Sequence, residues 1–96
     1  NCMLAKDVIA ANEIYEICRK AKADYRMVEM AMRLDPRIGR HIEILEPEGG
    51  YNSVCFNKDV PAFDNYAKKL GFKDTIFGYI HRWNMKKRPE LYEKRI

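Results

Sequence analysis

The 96 residues make one domain the natural count, and a chain this short buries only a modest fraction of its surface, so its stability margin is thin. Hydrophobic residues at 47% and charged residues at 33% are ordinary for a soluble globular protein; no apolar run is long enough to cross a bilayer, and the first residues do not form a signal peptide. A net charge of +4 permits an acidic or phosphorylated ligand without requiring one, while three cysteines with no scaffold spacing argue against a disulfide framework.

Cys2, Cys18 and Cys55 therefore read as reduced thiols of a cytoplasmic protein. His41 and His81 have no cysteine or second histidine nearby, so no metal site is expected. The sequence enters a helical pattern at once, without an initiating methionine, and is read as a single helical domain, residues 1–96, cut from a longer chain.

The first predicted helix runs from Asn1 to about Ala23. Leu4, Val8, Ala11, Tyr15 and Cys18 recur at three- and four-residue steps, and Ile14 and Ile17 widen the stripe. Asn12, near the apolar side, reads as a satisfied polar core residue. Asp24 is placed to cap a second helix, Tyr25 to Leu34, with Val28, Ala31, Met32 and Leu34 inward and its methionines Met27, Met30 and Met32 packing in the core. Asp35 followed by Pro36 predicts a short third helix to about Leu45, with Ile38, His41, Ile42 and Leu45 on one side. His41 reads as a packed or partly exposed helix residue and Arg37, by default, as a solvated charge. Glu46-Pro47-Glu48-Gly49-Gly50 is a loop by composition.

Asp59 and Pro61 predict the start of a fourth helix, Val60 to Leu70, with Phe63, Tyr66, Ala67 and Leu70 facing inward and Gly71 as its stop. Asp74 is placed to cap a last helix from Thr75 to about Lys87, with Ile76, Tyr79, Ile80 and Trp83 as its stripe and Arg88-Pro89 as its end. The fold class is thus all-α, a bundle of about five helices with one long N-terminal helix. From Arg82 onward there are six Lys or Arg against two Glu, near Trp83 and Tyr92. Without a groove-reading motif, helix ends favoured by the dipole explain this charge better than nucleic-acid binding, and no nucleic-acid partner is expected.

One stretch combines a nucleophile, a cation and a carboxylate within five residues: Gly50-Tyr51-Asn52-Ser53-Val54-Cys55-Phe56-Asn57-Lys58-Asp59. Read residue by residue, Cys55 is a small hydrophobe and Asp59 a helix cap. Placed just before a helix N-terminus and close to Lys58, Cys55 would instead be favoured as a thiolate.

The stretch resembles the Gly-(Tyr/Phe)-Gly-Gly-x-Cys-(Phe/Leu)-Pro-Lys-Asp signature of the UDP-glucose/GDP-mannose dehydrogenases. Upstream, Asp35-Pro36-Arg37-Ile38-Gly39 is similar to the Asp-x-Arg-Ile-Gly motif of that family, Asn12-Glu13 to an Asn-Glu pair on its long central helix, and Asn1 to a catalytic asparagine eleven positions earlier. The likeness covers Asn1 to about Leu70 and corresponds to the central, dimer-forming domain. It implies an NAD-dependent oxidation of a nucleotide sugar, in which the C6 alcohol becomes a carboxylate through a cysteine thiohemiacetal and thioester. By this resemblance Cys55 is the nucleophile, Asp59 holds or activates water, and Asn1 supports the oxyanion or the water. Arg37 reaches the neighbouring subunit's substrate, and Gly50, Tyr51 and Lys58 contribute to substrate binding. NAD is expected on domains outside this chain, because no Gly-x-Gly-x-x-Gly turn is present. The expected partners are the nucleotide sugar and a second copy of the chain, with no membrane. Asn52, Ser53 and Asn57 depart from the signature, which leaves open an inert helical dimerisation or scaffold module.

Overall fold

A computed structural model describes residues 1–45 and 48–93. Four α-helices appear in order: α1 (Cys2–Ala21), α2 (Tyr25–Arg33), α3 (Val54–Lys69) and α4 (Ile76–Lys87), followed by a 3-10 turn at Pro89–Leu91. No strand occurs among the described residues. The all-α reading holds with four helices rather than about five.

Helix α1 ends within two residues of its expected boundary, where Lys22 takes a left-handed conformation and its N–H closes on Arg19. Its buried face is Ala5, Val8, Ile9, Ala11, Asn12 and Cys18, rotated from the stripe expected in the sequence. Leu4 and Ile17 point outward, 37% and 65% exposed. The small side chain of Ala5, fully buried, sits in the core with Val60 of α3 and Ile80 of α4, where a leucine would hold the helices apart.

Asp24 caps α2 as expected, accepting a hydrogen bond from the Arg26 N–H at 2.9 Å. Tyr25 alone of α2 is buried, edge-on to Tyr15 with its hydroxyl donating to the Ile42 carbonyl. Met27 and Met30 are 63% exposed and Leu34 is 85% exposed, so the expected core packing of these residues is overturned. One aromatic anchor docks the helix, with Val28 and Met32 partly buried beside it.

The helix expected from Pro36 to Leu45 is absent. Asp35 turns the chain once instead: its carboxylate accepts from the Arg37 N–H at 2.9 Å and its carbonyl from Ile38 at 3.0 Å. The turn starts as a capped helix would but does not propagate, because the segment to residue 45 buries only Ile42 and Gly39 disfavours a helix. Ile42 is the buried residue of the four expected on one face, while His41 and Leu45 are exposed. The loop reading of Glu46 and Pro47 lies outside the described residues.

Helix α3 begins six residues earlier than expected, because Ser53, not Asp59, is the cap: its hydroxyl accepts from the Phe56 N–H at 3.3 Å. Pro61 then lies inside the helix, where it cannot donate to the Asn57 carbonyl. Burial of Phe56 and Val60 against the core offsets that cost. The buried positions of α3 are Val60 and Asp64, so Phe63, Tyr66 and Leu70, expected inward, are 48%, 58% and 61% exposed. The helix closes as expected at Gly71, whose N–H bonds the Lys68 carbonyl at 3.0 Å while Phe72 bonds Ala67 at 3.1 Å.

Thr75 rather than Asp74 caps α4, accepting from the Gly78 N–H at 3.0 Å. Ile80 is the buried residue of the expected stripe, with Trp83 and Phe77 partly buried beside it. Ile76 and Tyr79 stay 57% and 45% exposed.

The α3–α4 crossing carries a buried charge. Asp64, 5% exposed, meets the Lys68 ammonium at 2.9 Å and accepts from the Thr75 hydroxyl at 2.8 Å. Gly78 makes room for it: a Cβ there would lie 2.8 Å from the carboxylate oxygen. The Lys68 ammonium, with the Thr75 hydroxyl, holds the Asp64 carboxyl below the ordinary aspartate value of 3.8 despite burial. A depressed pKa means that ionisation favours the folded state. That contribution is complete above the ordinary value and is lost as pH falls through the folded one. Lys68 is nearly half exposed, which screens its share. Asp64→Ala should therefore cost about 2 kcal/mol at pH 7, and urea unfolding at pH 7 and below pH 3 should show that gap closing in acid.

Candidate functional site

Every expected site residue lies within the described structure. The helix start at Ser53 puts Cys55 in the first turn of α3 rather than before it, which corrects the sequence reading while keeping the thiol at a helix N-terminus. Cys55 is exposed. Asp59 follows four residues later, so the two side chains are neighbours on one face of α3.

The other end of the site comes from α1. Asn1 is the N-cap of that helix, yet its side chain makes no capping bond. Its amide instead crosses to α3 and donates to Asp59 Oδ2 at 2.8 Å, joining residues 58 positions apart. Lys58 Nζ stands 3.5 Å from Asp59 Oδ1. The Asn1 amide first, and the Lys58 ammonium after it, hold the Asp59 carboxyl below its usual range. The carboxylate is thus ionised and oriented at neutral pH, with both oxygens engaged. Cys2 lies beside it, its sulfur 3.7 Å from the Asp59 carbonyl, and burial pushes that thiol up. The two thiols near Asp59 therefore differ: one is partly buried and held protonated, the other open to solvent.

The approach to α3 is built on two buried asparagines. Asn12 donates to the Val8 carbonyl at 2.8 Å and accepts from the Gly50 N–H at 2.9 Å, the satisfied polar core residue that was expected. Asn84, fully buried on α4, accepts from the Tyr51 N–H at 2.8 Å and donates to the Tyr51 carbonyl at 3.1 Å. Gly50 has φ +66°, and a Cβ on it would lie 2.4 Å from Asn84 Oδ1. Only glycine fits that approach. The Tyr51 ring is 3% exposed and meets Phe56 edge-on at 5.4 Å, so it anchors the loop in the core and faces no solvent. Asn84 was missed in the sequence. Its signal was a polar residue four positions after the buried Ile80, on the same helix face.

Arg37 stands apart from this cluster. Its guanidinium grips Asp35 at 3.0 and 2.7 Å, and its side chain is 88% exposed. Asp35 raises the Arg37 pKa further, so the charge is permanent. A cleft of about 830 Å³ lies on the α1–α4 face, lined by residues that include Glu13, Ile17, Tyr79 and Trp83 and none of the expected site residues. Both of its carboxylates are engaged: Lys87 pairs with Glu16, and the Tyr79 hydroxyl with Glu13. No group of metal-binding side chains occurs among the described residues, and no described helix is long and apolar enough to cross a membrane.

Comparison with known proteins bears on this arrangement. A family model described as UDP-glucose/GDP-mannose dehydrogenase family, central domain, matches residues 1–86. UDP-glucose 6-dehydrogenase TuaD of Bacillus subtilis (strain 168) is 32% identical over 94 residues, 98% of this chain and 20% of that protein. A putative UDP-glucose 6-dehydrogenase, YtcA, of the same bacterium is 36% identical over 84 residues, 88% of this chain and 19% of the relative. UDP-glucose 6-dehydrogenase of Rickettsia bellii (strain RML369-C) is 31% identical over 96 residues, 100% of this chain and 21% of that protein. The chain thus spans about one fifth of the length of these relatives. No solved structure matches it significantly.

Proposed function

Because the chain belongs to the UDP-glucose/GDP-mannose dehydrogenase family, through its central domain, we propose that it supplies the nucleophile of a nucleotide-sugar 6-dehydrogenase. The observation that carries this reading is the Asn1–Asp59 hydrogen bond beside an exposed Cys55 on the same helix face. Two remote parts of the chain converge there on the one solvent-open thiol at a helix N-terminus.

In this reading the C6 alcohol of the sugar is first oxidised to an aldehyde. The Cys55 sulfur adds to that carbon, and the new oxyanion is met by the Asn1 amide, which has a second hydrogen to give while the first holds Asp59. Preorganised donors of this kind are each worth about 3 kcal/mol. Oxidation of the adduct leaves a thioester, and water oriented by Asp59 cleaves it, releasing the carboxylate and restoring the thiol. A depressed pKa suits Asp59 to orienting water more than to storing a proton. Gly50 and Tyr51 shape the sugar-facing loop, Tyr51 from within, and Lys58 on α3 contributes to binding the sugar nucleotide.

We assign NAD to another part of the enzyme; among the described residues no strand leads through a glycine-rich turn into a helix. Exposed apolar side chains on three helices support packing against further protein: Leu4 and Ile17 on different sides of α1, a stripe of Met27, Met30 and Leu34 along α2, and another of Phe63, Tyr66 and Leu70 on α3. We assign one of them to a second copy, to whose substrate Arg37 extends. We read the chain as a single domain of a longer cytoplasmic enzyme.

The test is an assay of the full-length protein with NAD and UDP-glucose or GDP-mannose. Two NADH per sugar and a carboxylate product are expected. No NADH with either sugar would overturn the reading in favour of an inert helical module, the alternative that Asn52 and Ser53, in place of the signature's glycines, favour.

A further inference from the structure

We propose that the segment leaving α4, Arg88 to Tyr92, is a strap that positions the Gly49–Tyr51 loop and the first turn of α3, with the Tyr92 hydroxyl as its latch. The sequence reading treated the charge of this tail as that of a basic helix end. In the structure it folds back over the loop that leads to Cys55.

Two contacts define the strap. Arg88, whose side chain is 12% exposed, donates to the Gly49 carbonyl at 3.5 Å, and its Cγ lies 3.4 Å from where a Gly50 Cβ would stand. It closes the loop from outside while Asn84 holds it from within. Tyr92 then ties the two sides together. Its hydroxyl accepts from Asn84 Nδ2 at 2.8 Å and lies 3.5 Å from Asn57 Oδ1, to which it donates. Its ring meets His81 edge-on at 5.1 Å. The 3-10 turn at Pro89–Leu91 delivers Tyr92 to this spot.

The Asn84 amide explains why one hydroxyl matters. Its two N–H groups serve the Tyr51 carbonyl and Tyr92, and its oxygen serves the Tyr51 N–H. Removing the Tyr92 oxygen leaves a donor of a fully buried side chain unpaired, and that cost weakens the closed state in which Asn84 holds the Tyr51 backbone. Asn57 sits two residues after Cys55 on α3, so the latch reaches the helix that carries the thiol. The strap lies beyond residue 86, where the family match ends. At position 57 the signature has a proline, which offers no side-chain acceptor.

The inference rests on the proposed function only for what the strap positions. Tyr92→Phe in the full-length enzyme is the test, since it keeps the ring against His81 and removes the hydroxyl. Backbone amide exchange at Tyr51 should quicken roughly fivefold, the ratio one lost neutral hydrogen bond gives, while Ile9 and Val60 stay unchanged. The KM for the nucleotide sugar should rise by a similar factor with the KM for NAD unmoved. Unchanged exchange at Tyr51, a uniform rise across all helices, or equal shifts in both KM values would overturn the strap. If Cys55→Ala retains full turnover, the functional reading fails, and the exchange measurement still decides the strap by itself.

Discussion

Cys55→Ala in the full-length enzyme should lower carboxylate formation by roughly 10³-fold or more while leaving the fold and nucleotide-sugar affinity nearly intact. The reason for the first half is chemical: no other exposed thiol lies beside Asp59, and an alanine methyl cannot form the sulfur adduct. Cys2 cannot substitute, because burial pushes its thiol up and its sulfur contacts a backbone carbonyl. The reason for the second half is structural. Cys55 is exposed in the first turn of α3, and alanine is the better helix former there. Its stability should change by less than about 0.5 kcal/mol. Product analysis by mass spectrometry, with equilibrium binding of the sugar nucleotide and a thermal melt, separates the two halves. Turnover within a factor of a few of the wild type would remove Cys55 from the mechanism.

Asn84→Ala should be the most damaging single change to the fold, at about 4 kcal/mol. The side chain is fully buried, and all three of its hydrogen bonds go to the Tyr51 backbone and the Tyr92 hydroxyl. Its removal leaves the Tyr51 N–H and carbonyl without their partner, each costing about 1–3 kcal/mol when buried, and a cavity besides. A domain of this size has about twice that to lose in total, about 5–15 kcal/mol being usual for folded proteins. With a urea slope of about 1.5 kcal/mol per molar, the unfolding midpoint should fall by some 2.5 M, roughly. Gly50→Ala provides the cross-check. In the wild type it drives a methyl toward Asn84 Oδ1 and forces alanine to a left-handed φ of 66°. In the Asn84→Ala background only the backbone term, about 1 kcal/mol, should remain. Additive losses would mean that loop and asparagine are not coupled.

The parts of the site differ in how openly the sequence displays them. Cys55, Lys58 and Asp59 are adjacent and were visible as a group. Asn1 and Arg37 were visible through motif resemblance, but the Asn1–Asp59 bond was not, because nothing local relates residues 58 apart. The roles of Asn84 and Tyr92 escaped notice for the same reason: one acts on a loop 33 residues away and the other on α3, 35 residues away. Tyr51 was expected at the substrate, and burial makes its ring an anchor instead.

Local chemistry settled a good deal without any tertiary information. Capping residues, apolar periodicity and the glycine after α3 act over three or four residues, so the helical class, the extents of α1, α2 and α4 and the stop of α3 were readable from the chain. Tertiary contacts decided the rest. Helix α3 has two apolar faces, and packing against α1 and α4 chose Val60 and Asp64 over Phe63 and Tyr66. The same packing let α3, capped at Ser53, run through Pro61, while the chain after Asp35, with only Ile42 buried between residues 36 and 45, folded into a turn. Burial is a property of neighbours that the sequence brings from far away, and periodicity can say that a face is apolar without saying what will cover it.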